Sequence, residues 1–168
     1  MPNTPFPKAA MDAFDDIRNQ LRRDHESALA ELDALRSEAD DHRCRFRLQR
    51  VRRAWMIHAL AEEAVVYRAL EGAIAAASCA TRADERFVEH ELVESVFAKM
   101  GACRPRSSEW NARLNVARDL IARHIESEHS ETFAQLAARF DTEELCEMGG
   151  RFLLARKKLT LLEEAKAA

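Results

Sequence analysis

The apolar residues of this chain recur at steps of three, four and seven, which is the spacing of one face of an α-helix. The pattern predicts four long helices at about 8–38, 43–77, 84–100 and 108–139, and a fifth that begins near residue 142. No stretch shows the alternation of a β-strand. Because the connections between these helices are short, we expect an all-α fold, an antiparallel up-down four-helix bundle with an additional C-terminal helix.

The composition agrees with a single compact domain. Of 168 residues, 47% are hydrophobic and 33% are charged, and glycine and proline occur only four times each, which is typical of a folded helical protein. Three of the prolines fall within the first seven residues. We therefore expect 1–9 to form an irregular arm and 10–168 to form the helical bundle domain.

Charge, hydropathy and cysteine spacing limit which kinds of partner and which cellular compartment we expect for this protein. A net charge of −3 does not indicate a nucleic-acid-binding domain. No run of about 18 apolar residues is present to cross a membrane, and the N-terminus lacks the regions of a signal peptide. The four cysteines show no CxxC spacing, so we interpret them as free thiols of a reducing compartment. We expect a cytoplasmic monomer or homodimer, and the sequence indicates no protein partner.

Polar residues interrupt the apolar stripes at corresponding places. Each of the four long helices has a histidine in its stripe, and three of these histidines are followed four residues later by a glutamate. The histidines are His25, His58, His90 and His124, and the glutamates are Glu62, Glu94 and Glu128. An imidazole and a carboxylate that face a core are costly to bury unless something satisfies them. His42 and His129 lie off the stripes, and we interpret His129 as solvated.

Metal ions satisfy such groups, since imidazole nitrogen and carboxylate oxygen are common metal ligands. Side chains from the facing helices of a bundle converge in its core. Six or seven such ligands exceed the needs of one tetrahedral zinc ion and suit two six-coordinate ions bridged by carboxylates. Carboxylates mixed with imidazoles favour iron or manganese over copper, and availability favours iron. We predict two iron ions, with manganese or zinc less favoured, and O₂, peroxide or NO as the small ligand.

Four segments of the sequence carry a resemblance to a known family. They are RRDHESALAEL, HALAEEAVVYRAL, VEHELVE and RHIESEHSETFAQL, and in this order they resemble the motifs of the hemerythrin-like, HHE cation-binding family. The resemblance extends over about 17–158 and implies a helical bundle with six metal ligands, of which Glu62 and Glu128 bridge the two ions. The implied ligands are His25, His58, Glu62, His90, His124 and Glu128.

Two positions depart from the oxygen-carrying hemerythrins. Glu94 stands where those proteins have a histidine, and His129 stands where they have an aspartate. Glu94 is therefore either a seventh ligand or a residue that orients a ligand. A site richer in carboxylates favours oxidised metal, which argues against reversible O₂ carriage.

The expected function is a non-haem diiron protein that binds or reduces a small oxidant, with catalase-like peroxide handling as one candidate activity. Two alternatives from other classes stay open. One is an iron-sensing or iron-binding regulatory module without turnover, and the other is a metal-free helical interaction domain.

Residues near the stripes complete the predictions. Tyr67 lies five residues after Glu62, roughly 140° around an α-helix, so we expect it to pack or to expose its hydroxyl. Asp24 either orients a ligand imidazole or is a solvated charge. The arginine-rich stretch 43–53 is interpreted as a solvated helix face, with a surface for an anionic partner as the alternative. Three aromatic residues are predicted to pack in the core: Trp55, Phe87 and Phe97.

Overall fold

The computed structural model describes the backbone of residues 15–73 and 77–167 and the side chains of 15–72 and 85–166. In these ranges every regular element is helical and no strand occurs, which confirms the all-α prediction. The predicted arm at 1–9 and the domain boundary that follows it lie outside the described residues. Within the described ranges, no helix combines the length and the apolar character that a membrane crossing requires.

Four helices, each with one of the stripe histidines, contact one another in a closed ring. They are α1, α2, α4 and α5, where α1 contacts α2 and α5, and α4 contacts the same two helices. A further helix, α7, packs against α1 and α2. The elements in chain order are α1 (Ile17–Ser37), α2 (Asp41–Glu62), π1 (Glu63–Tyr67), α3 (Arg68–Ala73), α4 (Ala77–Gly101), α5 (Ser108–Ser127), π2 (Glu128–Thr132), α6 (Phe133–Arg139) and α7 (Thr142–Ala167).

Side chains that cap free N–H groups decide where the helices begin. Asp16 accepts a hydrogen bond from the backbone N–H of Arg18 at 2.8 Å, and α1 therefore begins at Ile17. The prediction that this helix begins near residue 8 is wrong, because residues 15 and 16 are not helical. Ser107 accepts a hydrogen bond from the backbone N–H of Trp110 at 3.2 Å, and α5 begins at Ser108.

The polar segment 78–84 belongs to α4, and its prediction as a connection is wrong. The segment contains no glycine or proline, so nothing in it interrupts helical hydrogen bonding. Its residues form no apolar stripe, which is the signal on which the prediction depended.

Two π-helical turns interrupt the long helices, and each adjoins a stripe glutamate. The turn π1 follows Glu62 directly, and π2 begins at Glu128. A π turn holds more residues than an α turn, so the side chains beyond it are rotated relative to the α-helical register. A 3.6-residue pattern in the sequence therefore does not describe the faces of these helices beyond the two glutamates.

The core consists of two apolar clusters, and the stripe histidines lie between them. The first cluster includes Leu35, Phe97 and Trp110, and the second includes Tyr67, Leu136 and Phe152. Around each stripe histidine, one flanking residue belongs to or packs on the first cluster, and the other belongs to or packs on the second. The flanking pairs are Leu32 and Leu21 around His25, Trp55 and Ala61 around His58, Val93 and Phe87 around His90, and Ile121 and Phe133 around His124. A layer of buried polar groups therefore separates two apolar halves.

The cysteines with described side chains form no disulfide. Cys44 and Cys103 are buried in the first cluster, where they pack as small apolar groups. The side chain of Cys79 lies outside the described residues.

Helix α7 approaches the start of α1 closely at Gly149. A Cβ atom at this position would lie 2.1 Å from the carbonyl oxygen of Asp15 and 2.7 Å from Nε2 of Gln20. Because a backbone oxygen cannot move aside as a flexible side chain does, we expect Gly149→Ala to lower the free energy of unfolding by about 2 kcal/mol. Urea unfolding measures this change.

Gly72→Ala is the matched control for this prediction. A Cβ atom at Gly72 meets nothing within 4 Å, and alanine favours the helix. We expect this variant to be more stable than the wild type by about 0.5–1 kcal/mol. Similar effects of the two substitutions would contradict the close contact at Gly149.

Candidate metal centre

Six of the seven predicted ligands meet in one buried cluster. Each histidine comes from a different helix of the ring, and the two glutamates lie where α2 and α5 pass into their π turns. Each of the six residues is at most 5% exposed to solvent. The six are His25, His58, Glu62, His90, His124 and Glu128.

The Nε2 atoms of the histidines lie close to one another and to the carboxylates. Nε2 of His25 is 3.2 Å from Nε2 of His58 and 3.1 Å from Oε2 of Glu128. Oε2 of Glu62 is 3.4 Å from Nε2 of His90 and 3.7 Å from Nε2 of His58. Ligand atoms from all four helices therefore converge at one place.

Nε2 of His124 lies near both carboxylates, at 3.9 Å from Oε2 of Glu62 and 3.6 Å from Oε2 of Glu128. The cluster contains two sets of three potential ligand atoms that lie within 4.8 Å of one another, and His124 belongs to both. The first set is His25, His58 and His124, and the second is Glu62, His90 and His124.

Several of these buried polar atoms have no hydrogen-bond partner among the described residues, because their close contacts lack hydrogen-bond geometry. They are both side-chain oxygens of Glu62 and of Glu128, and Nε2 of His90 and of His124. The two glutamates have no exposed surface, and a buried carboxylate without partners costs several kcal/mol. A cation coordinated by these atoms would remove that cost. Buried, unpaired oxygens and imidazole nitrogens therefore fit a metal ion such as iron.

Carboxylates outside the cluster hold three of the histidines in position. In each case the Nδ1–H of the imidazole donates to a carboxylate oxygen, which leaves Nε2 as the free ligand atom. The donor and acceptor pairs are His58 and Asp24 at 3.2 Å, His90 and Glu63 at 2.8 Å, and His124 and Glu89 at 3.2 Å. Of the two alternatives for Asp24, the structure supports the one in which it orients an imidazole.

Glu63 and Glu89 are not among the residues predicted from the sequence, although the sequence contains a signal for them. Each orienting carboxylate is the sequence neighbour of one cluster residue and bonds a histidine of another helix. Asp24 is next to His25, Glu63 is next to Glu62, and Glu89 is next to His90. Adjacent residues project about 100° apart on a helix, so such a neighbour reaches the next helix of the ring.

The π turns bring two further residues toward the cluster. Nε2 of His129 lies 3.1 Å from Nδ1 of His25, and its ring stacks on Phe133. The interpretation of His129 as solvated is therefore wrong. It assumed an unbroken α-helical register, whereas this residue lies within π2.

Tyr67, the last residue of π1, is only 3% exposed, and its ring stacks on His90. Of the two expectations for Tyr67, packing in the core is the one that the structure confirms. Its hydroxyl has no hydrogen-bond partner in the described part of the chain. Burial, together with the charges of Glu62 and Glu128, raises the pKa of Tyr67 well above its usual value. The hydroxyl therefore stays protonated beside two carboxylates of the cluster.

Glu94 is the one predicted ligand that the structure does not bring to the cluster. Its Oε1 accepts a hydrogen bond from Nε of Arg52 at 2.8 Å, and its side chain is 34% exposed. The guanidinium of α2 thus provides a partner for this carboxylate at the edge of the ring.

Burial and neighbouring charges shift the pKa values of the histidines in opposite directions. Burial lowers the pKa of His25 to about 2 and also lowers that of His124. Burial by itself would lower the pKa of His90 as well, but the carboxylates of Glu62 and Glu63 outweigh it and raise this pKa to about 9. In the metal-free protein at neutral pH, His90 is therefore charged, whereas His25 and His124 are neutral.

These shifts predict how the stability of the metal-free protein depends on pH. His25 and His124 bind protons more weakly when folded, so stability falls as the pH drops below the ordinary value of 6.5. His90 binds its proton more tightly when folded, so its contribution is complete below pH 6.5 and is lost as the pH rises toward 9. We expect His90→Gln to remove an alkaline loss of up to about 1.4 kcal/mol per pH unit. Urea unfolding of both proteins between pH 6.5 and 9 tests this, and an unchanged slope would count against a charged His90.

Comparison with known proteins agrees with this geometry. The model of the Hemerythrin HHE cation binding domain matches residues 16–136. No curated protein and no solved structure matches the chain. The matched range covers more than two thirds of the sequence and includes all six residues of the buried cluster. The chain belongs to the hemerythrin HHE cation-binding family.

Proposed function

We propose that this protein is a non-haem diiron protein that binds or reduces a small oxidant such as O₂, peroxide or NO. Its fold would be an antiparallel up-down four-helix bundle with α7 as the additional helix, which the closed ring of contacts among α1, α2, α4 and α5 supports. The observation that carries the proposal is the pair of fully buried carboxylates without hydrogen-bond partners among the described residues, Glu62 and Glu128.

Six side chains would hold the metal ions, and the structure supports two positions rather than one. Two sets of ligand atoms exist, and His124 belongs to both. The full set is more than one tetrahedral ion needs. The proposed ligands are His25, His58, Glu62, His90, His124 and Glu128.

Bound iron would supply one-electron redox changes and an open position for the small ligand. The chain itself would exclude water and provide a proton donor. The indole of Trp55 stacks on His58 and lies edge-on to His90 and His124, at centroid distances of 5.4–5.7 Å. The hydroxyl of Tyr67 is buried and protonated, and it lies beside the carboxylates of Glu62 and Glu128. It would donate a hydrogen bond to a small ligand held at the site.

Metal analysis with an optical spectrum tests this function. Protein made in iron-supplemented cells should contain about two irons per chain, with the near-ultraviolet and visible absorption of an Fe–O–Fe pair that changes when peroxide is added. Peroxide consumption and O₂ release are then measured on the same sample. A folded protein that binds no metal under these conditions would contradict the proposal.

Of the alternatives, a regulatory iron-binding module has an observation in its favour. The unpaired carboxylates make the stability of the fold depend on metal, which is what a sensor requires. Metal-dependent stability without peroxide or O₂ turnover would favour the sensor. The metal-free interaction domain fits less well. The orienting carboxylates satisfy the histidines, but Glu62 and Glu128 have no hydrogen-bond partner in the described part of the chain.

A further inference from the structure

A cleft of about 300 Å³ lies beside His58, between α1, α2 and α7. Apolar side chains line part of it, among them Ala28, Val51 and Ile57. The volume is roughly twice that of an apolar cavity that holds benzene, so a ligand of about ten non-hydrogen atoms fits. The cleft is thus large enough for a small organic molecule and larger than O₂ or peroxide requires.

The charged groups of the cleft favour an anion. Three arginines and two carboxylates line it. One of the carboxylates, Glu31, is already paired with Arg47 at 2.8 Å and lies 3.6 Å from Arg50. The arginines are Arg50, Arg53 and Arg156, and the carboxylates are Asp24 and Glu31. Arg53 is paired with Glu164 at 3.4 Å. With Arg47 and Glu164 included, four arginines face three carboxylates, so the positive charge exceeds the negative charge by one.

Two residues of the cleft also have buried N–H groups without an acceptor. Nε of Arg156 and Nε1 of Trp55 have no hydrogen-bond partner in the described part of the chain. Trp55 is only 2% exposed, so water does not readily replace the missing partner. Unsatisfied buried donors are costly, and a ligand with acceptor oxygens would satisfy them.

One carboxylate connects the cleft to the metal-ligand cluster. Nη1 of Arg156 donates to Oδ1 of Asp24 at 2.8 Å. Oδ2 of the same carboxylate accepts from Nδ1 of His58 at 3.2 Å. A group that draws Arg156 toward itself would therefore alter the hydrogen bond that positions His58.

We propose that this cleft binds a small amphiphilic monocarboxylate, which pairs its carboxylate with Arg156 and packs its apolar part against α1 and α2. The planar guanidinium suits a carboxylate, and the apolar wall distinguishes such a ligand from an inorganic anion. Through Asp24, the bound carboxylate changes the environment of His58. Binding in the cleft does not depend on the proposed metal site, whereas its effect on the metal rests on the proposed function.

Benzoate, with nine non-hydrogen atoms, is the probe for the cleft. Calorimetric titration of the full chain as purified should show saturable binding, and Arg156→Gln should weaken it by about tenfold or more. Arg118→Gln is the matched control, because Arg118 is also paired with an aspartate at 2.8 Å and both arginines are 35% exposed. We expect this control to leave the affinity unchanged.

Three results of this titration would overturn the proposal. They are the absence of saturable benzoate binding, equal binding by wild type and Arg156→Gln, and inorganic phosphate that binds as tightly as benzoate. The last result would show that charge alone determines binding in the cleft and that the apolar wall does not contribute.

The connection through Asp24 has its own readout in the iron-loaded protein. Benzoate should shift the optical spectrum of the wild type, and Arg156→Gln should require about tenfold more benzoate for the same shift. Asp24→Asn should bind benzoate about threefold to tenfold more tightly, because a like charge is removed, yet show little spectral shift. If Arg156→Gln shows the same spectral shift as the wild type at the same benzoate concentration, benzoate binds the metal directly. That result would overturn the connection through Asp24. Failure to load iron would contradict the proposed function and leave the titration of the cleft as the test.

Discussion

Glu62→Gln is expected to reduce the bound metal from about two ions per chain to fewer than about one. Oε2 of Glu62 lies within 3.9 Å of Nε2 of three histidines, His58, His90 and His124. No other carboxylate of the described residues contacts as many of the cluster's histidines. Glutamine preserves the shape but removes the charge and turns one ligand oxygen into a donor. Metal analysis after exhaustive dialysis, on protein loaded in the same way as the wild type, measures the loss.

The control for this substitution is Glu94→Gln. Glu94 also follows a stripe histidine by four residues, but its carboxylate is paired with Arg52. We therefore expect Glu94→Gln to retain about two ions per chain. If it loses metal as Glu62→Gln does, Glu94 leaves Arg52 when metal binds, and the set of six ligands is wrong.

Removal of the metal is expected to destabilise the protein by about 4 kcal/mol, when the free metal is about a thousandfold above its dissociation constant. The carboxylates of Glu62 and Glu128 then stay buried without a metal ion and without a hydrogen-bond partner among the described residues. For a domain of this size we expect a fall in Tm of about 10 °C. Thermal unfolding with and without a chelator, at constant pH and ionic strength, measures this change.

A variant without the two charges separates metal binding from a general effect of the chelator. Glu62→Met combined with Glu128→Met replaces both carboxylates by apolar groups of similar length. We expect the metal-free variant to be more stable than the metal-free wild type by about 1–4 kcal/mol and to show no response to the chelator. A variant less stable than the metal-free wild type would mean that the carboxylates are satisfied without metal.

The cluster itself could be predicted from the sequence because its residues occupy core-facing positions of ordinary α-helices. His25, His58, His90 and His124 lie on the apolar stripes, and these stripes meet inside the ring of four helices. The glutamates Glu62 and Glu128 follow one turn later, before the π turns alter the register. Up to this point the 3.6-residue period describes the helices correctly.

The surroundings of the cluster could not be predicted in the same way, because they depend on interactions between helices. Glu94 occupies a stripe position, and only the position of Arg52 on the neighbouring helix shows where its carboxylate lies. In an unbroken α-helix His129 would face away from the cluster, whereas in the π turn it lies next to His25. The first part of α4, residues 78–84, was not predicted as helix because its apolar residues form no stripe and therefore give no helical period.

The polar layer between the two apolar clusters also bears on how the domain unfolds. Each cluster excludes water on its own, and the layer between them contains groups that resist dehydration until a cation neutralises them. In the metal-free chain, we therefore expect the two halves of the core to be only weakly coupled, so that local opening of one half, measured by amide hydrogen exchange, does not require opening of the other. Metal that bridges all four helices would join the halves into one cooperative folding unit.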